Sequence, residues 1–206
     1  MKQVLRYTLA ERVVHWVAAL TYGYLLLTGL AFFTPNLWWL ASILGGGVTS
    51  RFWHPIIGLV FFFTAAWMWY AWRRDMAITD ADRKWSRAIG EYIRNEDENL
   101  PPVGRFNTGQ KYFFWLMFAG ACVLLATGLV LWFTDSIPWS LRWLRYISVL
   151  GHALAFLATV AGFIVHVYMG TAVATGGFSS VIRGEVSEDW ARAHHRLWFD
   201  QVTRDR

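Results

Sequence analysis

Cysteine is almost missing from these 206 residues: there is one, Cys122, in the middle of an apolar run. A lone thiol, expected to be buried, excludes a disulfide framework within the chain. No Cys-x-x-Cys-His occurs for covalent haem attachment, and no cysteine cluster exists for an iron–sulfur centre or structural zinc. Charge is scarce as well, at 16% of residues, where soluble domains carry about 25%. The formal net charge of +5 would suit nucleic acid if the cations formed one patch. They form clusters between apolar runs instead, so membrane topology is expected and nucleic acid is not.

What the chain has in abundance is apolar and aromatic side chains: 56% hydrophobic residues, with 14 Trp and 15 Phe. Four runs are long enough to cross a hydrocarbon core, which takes roughly 20 residues. They cover about 13–33, 53–72, 112–133 and 147–173, and each starts or ends beside Trp, Tyr or Arg, as interfacial belts require. The first run superficially fits a secretory leader. It is long, lacks a small-x-small cleavage site near its end and carries a histidine, so a retained helix is expected. No internal repeat or low-complexity segment is apparent.

The predicted architecture is an all-α membrane protein, a four-transmembrane-helix bundle forming one domain over 1–206. Of the 19 Lys and Arg, all but Arg51, Arg142 and Arg145 fall in the N-terminal tail, the loop 73–111 and the tail 174–206. The positive-inside rule places these three segments, and both termini, in the cytoplasm. Two short interfacial helices are expected outside the spans. In the loop, Ala81, Trp85, Ala88, Ile89 and Tyr92 recur at helical spacing, with Arg83, Lys84 and Arg87 on other faces. In the tail, Ser187 followed by Glu188 and Asp189 reads as a helix N-terminus leading into Trp190.

Four of the six histidines lie within or at the ends of spans: His15, His54, His152 and His166. A polar side chain at membrane depth is costly and needs a partner. For any one of them a hydrogen bond to a neighbouring helix suffices; four at two depths ask for more. His152 and His166 are about 21 Å apart along one helix and point to one face, near opposite membrane surfaces. The first span starts inside, which sets His15 level with His166. The second starts outside, which sets His54 level with His152. Two histidine pairs result, as two stacked haems need. An iron with imidazole on both faces has no open position and only transfers electrons. Zinc would find two ligands per site and no third.

Gly58, Gly162 and Gly170 lie about one turn from these histidines, and Gly23, Gly29 and Gly128 also fall within spans. A flat macrocycle needs such bare helix surface, although close helix packing uses small residues too. Arg6, Arg12 and Arg51 are candidates for haem propionates. His194 and His195, in the tail, are expected to be solvated or interfacial.

Several short segments carry a family likeness: Arg12-x-x-His15-Trp16, Thr28-Gly29-x-x-Phe32-Phe33, His54-Pro55-x-x-Gly58, Phe106-Asn107-Thr108-Gly109-Gln110-Lys111, His152, His166-x-Tyr168-Met169 and Gly184-x-Val186-Ser187-x-x-Trp190-Ala191. With them the chain, from about Arg6 to Trp198, resembles the gamma subunit of membrane-bound respiratory formate dehydrogenase, a di-haem cytochrome b. The resemblance implies two haem b groups, with His54 and His152 as ligands of the outer one and His15 and His166 of the inner one. It implies that a quinone, menaquinone or ubiquinone, is reduced beside the inner haem at Asn107, Gly109, Gln110 and His166. Read from residue chemistry alone, the segment is a helix start before it is a quinone site, with Asn107 as the N-cap of the third helix.

The resemblance further implies partners: an iron–sulfur beta subunit, and a molybdenum or tungsten alpha subunit that oxidises formate. The beta subunit is expected at the outer segments 34–52 and 134–148. There Trp38, Trp39, Trp139 and Trp143 are either interface or belt. The bacterial inner membrane is the expected location, and a higher oligomer of the complex is possible. The cytochrome b subunit of a nickel–iron hydrogenase has nearly the same chemistry, and the Asn-x-Gly-Gln-Lys motif favours the formate dehydrogenase relative. A haem-free transporter or assembly factor with a histidine relay is the reading from a different class.

Overall fold

Polar pairs, rather than apolar runs, decide where two of the four long helices begin. The computed structural model describes residues 2–88, 90, 101–173 and 176–204. Its four long helices are α1 (Leu9–Phe33), α3 (Gly47–Trp72), α5 (Thr108–Trp132) and α6 (Trp143–Tyr168), with a short α2 (Trp39–Ile43) between the first two. All four are long and apolar enough to cross a membrane, and the last continues through a π turn, Met169–Val173. They start at 9, 47, 108 and 143, against predicted starts of 13, 53, 112 and 147.

Capping accounts for two of these differences. Thr8 Oγ1 accepts from the Glu11 N–H at 3.3 Å while Glu11 accepts from the Thr8 N–H at 2.8 Å. Asn107 and Gln110 repeat this reciprocal box at α5, at 2.9 and 3.0 Å. Each box satisfies two backbone donors that the helix start leaves without partners. An apolar run marks hydrocarbon depth; the box marks where the backbone turns helical.

The chain divides into two compact units, one formed by Val13–Trp69 and Leu116–Val165. In this four-helix unit Tyr22 of α1, Phe61 of α3 and Ala121 of α5 are buried together, and Phe163 of α6 packs against them. The Tyr22 ring lies 5.4 Å from Phe61 and 5.0 Å from Phe163. Leu20, Phe63, Leu154 and Ile164 stay exposed on the outward faces, the surface a helix presents to lipid. Cys122 is exposed there too. Its expected burial is thus corrected: an apolar stretch sets depth in a membrane, not enclosure by protein.

The other unit comprises Met1–Arg12, Tyr70–Trp115 and His166–Arg206. It contains a two-stranded antiparallel ladder that the sequence reading did not include, β1 (Gln3–Leu5) against β2 (Glu185–Ser187), with Val4 opposite Val186. Val4, Val186, Ala191, Trp198 and Phe199 make its core. Gly184 has φ +88°, and a Cβ there would lie 2.8 Å from the Tyr7 carbonyl oxygen. Its own carbonyl accepts from the N–H groups of Arg6 and Tyr7. Only glycine fits both demands.

Further helices in this unit are α4 (Asp80–Arg87), α7 (Gly177–Arg183), α8 (Glu188–His194) and α9 (Arg196–Arg204). The tail helix begins as predicted, with the Ser187 hydroxyl accepting from the Trp190 N–H. The loop helix corrects the sequence reading. Its buried side chains are Asp82 and Trp85 while Ala81 is exposed, so Trp85 packs into protein. Ile89 and Tyr92 lie outside the described residues.

Candidate functional site

His54 of α3 and His152 of α6 face one another in the four-helix unit, ring centroids 6.4 Å apart and planes at 53°. Metal–nitrogen bonds of about 2 Å put two imidazoles on opposite sides of one ion at roughly this separation. Both rings line a cavity of about 1840 Å³ whose wall includes Arg51, Gly58 and Gly128. A Cβ on Gly58 would meet nothing nearer than 4.0 Å, so its missing side chain serves the open space. Gly128 lies beside the histidine, where a Cβ would sit 3.4 Å from His152 Cε1, at the edge of ordinary contact. Gly29 is a packing glycine, closed over by the Phe156 ring.

The second nitrogen of each imidazole is held. His54 Nδ1 lies 2.6 Å from Thr28 Oγ1, and His152 Nδ1 lies 2.9 Å from Thr127 Oγ1. Nε2 is then the nitrogen each ring has for a cofactor. The cavity and the paired imidazoles fit a bis-histidine haem b. Among the described residues no group of three or more His, Cys, Asp or Glu could hold a metal ion, and two imidazoles alone do not make a zinc site.

The other predicted pair is divided, His15 belonging to the four-helix unit and His166 to the second unit. His15 is half-buried, edge-on to Trp16 at 5.8 Å. His166 lies flat against Phe113 of α5 at 4.2 Å. Phe113 follows Gln110 by three positions, about one helical turn. The Asn107 segment and His166 are thereby neighbours.

Within Phe106-Asn107-Thr108-Gly109-Gln110-Lys111 the structure separates roles. Phe106 is buried against Trp72. Thr108 Oγ1 donates to Asp82 at 2.9 Å, and Lys111 Nζ makes a buried ion pair with the same carboxylate at 2.7 Å. Burial alone would raise the Asp82 pKa; the hydrogen bonds from Lys111, Thr79 and Thr108 outweigh it and hold the group at about 2. Asn107 and Gln110 use their amide oxygens in the cap, which leaves both –NH₂ groups as donors the cap does not need. Gly109 is exposed, and a Cβ there would make one ordinary contact. Nothing in the packing of the described residues requires it to be glycine.

His195 is not solvated: it is 3% exposed, with Arg6 Nη2 donating to its Nε2 at 2.9 Å and its Nδ1 directed at the Gly104 carbonyl at 2.8 Å. Arg6 comes from 189 positions away, which no local pattern reveals. His194 stays exposed and stacks on Trp190. Of the three propionate candidates, Arg6 is enclosed with His195, Trp190 and Trp198, and Arg12 donates to the Ile182 carbonyl. Arg51 lines the cavity, one turn before His54.

The family profile of prokaryotic cytochrome b561 matches residues 6–184. The nitrate-inducible formate dehydrogenase cytochrome b556(Fdn) subunit of Escherichia coli K12 is 30% identical, over 98% of this chain and 93% of its own. The formate dehydrogenase cytochrome b556(fdo) subunit of the same strain is also 30% identical, over 98% and 94%. The formate dehydrogenase cytochrome b556 subunit of Haemophilus influenzae is 29% identical, over 96% and 82%. With four membrane-length helices and this likeness along nearly its whole length, the chain belongs to the prokaryotic cytochrome b561 family, among the cytochrome b subunits, or gamma subunits, of formate dehydrogenase.

Proposed function

We propose that this chain anchors a formate dehydrogenase complex in the bacterial inner membrane and links it to the quinone pool. In this reading His54 and His152 hold an outer b haem, and His15 and His166 hold an inner one. When bound, the two groups supply one-electron transfer between a periplasmic iron–sulfur partner and a quinone, without an open coordination position for substrate. The observation that carries the reading is the opposed His54–His152 pair, each Nδ1 already engaged on its own side.

The remaining work falls to the chain's own groups. Arg51, at the cavity wall, offers its guanidinium to a propionate. The –NH₂ groups of Asn107 and Gln110 offer hydrogen bonds to quinone carbonyls, beside an exposed Gly109 that lets a flat ring approach the backbone. The excess of Lys and Arg in the two tails and the middle loop supports a cytoplasmic location for this segment. Protons for the quinone then come from the cytoplasm while electrons arrive from outside, which builds proton-motive force. Formate oxidation belongs to a molybdenum or tungsten alpha subunit, reached through an iron–sulfur beta subunit. The formate dehydrogenase relatives favour formate over hydrogen as the electron source.

A redox titration of the purified complex tests the reading. Two b-type components per chain are expected, and His54→Ala should remove one and leave the other. A single component, or no b-type α band, defeats it. Co-purification with a nickel protein in place of a molybdenum or tungsten one would reassign the electron source to hydrogen.

A further inference from the structure

A Thr-Gly-Leu segment occurs twice at membrane depth, at 28–30 in α1 and 127–129 in α5. Each threonine contacts a histidine of the following long helix, 26 positions on for Thr28–His54 and 25 for Thr127–His152. We propose that Thr28 and Thr127 are paired positioning residues that fix the tautomer and rotation of His54 and His152. The proposal rests on the reading that these histidines hold haem.

A threonine hydroxyl has one hydrogen to donate and lone pairs to accept with. Thr28 Oγ1 donates to its own helix, 2.9 Å from the Tyr24 carbonyl oxygen, and Thr127 Oγ1 does the same toward Val123 at 2.6 Å. Such bonding to the fourth preceding carbonyl is the usual use of a hydroxyl inside a helix. With that hydrogen committed, each oxygen can only accept from the imidazole. Nδ1 of both histidines therefore carries the hydrogen, and Nε2 carries the lone pair that binds iron.

The same contact stops the ring from turning about its bond to the chain. Thr28 is fully buried, so no water competes for that lone pair. An N–H donor on a metal-bound imidazole also raises the basicity of the ligating nitrogen. Basic ligands stabilise ferric over ferrous iron, so both threonines should hold the potential of this haem down.

The test uses the intact complex with Thr28→Val, Thr127→Val and the corresponding serine variants. Valine keeps the shape and deletes the hydroxyl; serine keeps the hydroxyl. Haem content by the reduced b-type band, the low-spin electron paramagnetic resonance signal and the midpoint of each haem are the readouts. In each valine variant one of two haems should shift to a more positive midpoint. At fixed ambient potential its ferric-to-ferrous ratio should fall by about tenfold, with an altered low-spin signal; serine should restore both. Loss of that haem in the valine variant, with retention at the native midpoint in the serine variant, also supports the role.

Unchanged midpoint and signal in both valine variants overturn the proposal while leaving haem binding intact. Loss of the haem from the serine variants overturns it too, because the hydroxyl is then not the operative group. Native complex without b haem overturns the reading beneath it, and the proposal with it.

Discussion

The Phe113 ring lies flat on the His166 imidazole, centroids 4.2 Å apart and planes 3° from parallel. Stacking of this kind contributes about 0.5–1.5 kcal/mol beyond the area it buries, and it fixes the rotation of the imidazole. Phe113→Leu keeps an apolar side chain but removes the flat face. The expected outcome is a changed low-spin signal from one b haem, the other unaffected, with slower quinone reduction. Phe113→Tyr should behave as the parent. An identical signal in Phe113→Leu would show that the stack does not set His166.

Capping and quinone binding can be separated at Asn107. Asp is as good an N-cap as Asn, so Asn107→Asp keeps the acceptor for the Gln110 N–H and deletes the –NH₂ donor. Thermal stability should stay within about 0.5 kcal/mol, while KM for quinone rises. Gly109→Ala sharpens the test. Alanine is the better helix former by up to about 1 kcal/mol and, among the described residues, meets only Asn107 Oδ1, at 3.5 Å, so the fold should hold or gain. A quinone that approaches the backbone there should bind more weakly. Unaltered kinetics in both variants would place the quinone elsewhere.

The histidine pair facing the cavity was legible because imidazole inside a membrane is expensive and rare, and depth follows from helix rise. The roles of Thr28, itself part of a family-like segment, and of Thr127 were not, since a threonine in a long helix ordinarily satisfies itself on its own backbone. The Phe106–Lys111 segment was legible as a helix start. Its division into core, cap and open positions needed Asp82, which lies across a loop. The Gly184–Ala191 segment, one of those that carry the family likeness, builds structure: Gly184 turns the chain, Val186 fills the core and Ser187 caps α8. What sequence hid throughout was the distant partner. His195 read as a tail histidine until Arg6 and Gly104 were seen around it.

Lys111 and Asp82 form a buried ion pair, so removing one partner should cost far more than removing both. Lys111→Met leaves a carboxylate uncompensated, at about 3–5 kcal/mol; Lys111→Met with Asp82→Asn should recover part of that. The parent's Asp82 titrates at about 2, below its ordinary 3.8. A carboxyl depressed in the folded state stabilises fully above its unfolded value and loses that contribution as pH falls through the folded one. Protease cleavage in the loop before α5 should therefore rise between about pH 4 and pH 2 in the parent. In Lys111→Met it should rise at higher pH. Equal cleavage profiles would remove the pair from the account of stability.

His195 gives the tail a second acid sensitivity, at milder pH. Burial is the largest cause that holds its imidazole neutral, followed by the Arg6 charge and, weakly, His194; the Gly104 carbonyl pulls the other way, and the folded pKa falls to about 3 from 6.5. Between those two values the unfolded tail binds a proton that the folded tail does not. Stability therefore declines as pH drops, by up to about 1.4 kcal/mol per pH unit. Trp190 and Trp198 both lie beside Arg6, so tryptophan fluorescence after mild denaturant can follow release of the tail. The midpoint should fall steadily from pH 6.5 toward pH 4 in the parent and lose that slope in His195→Gln, which cannot take up the proton. A slope that persists unchanged in His195→Gln would assign the acid response to another group.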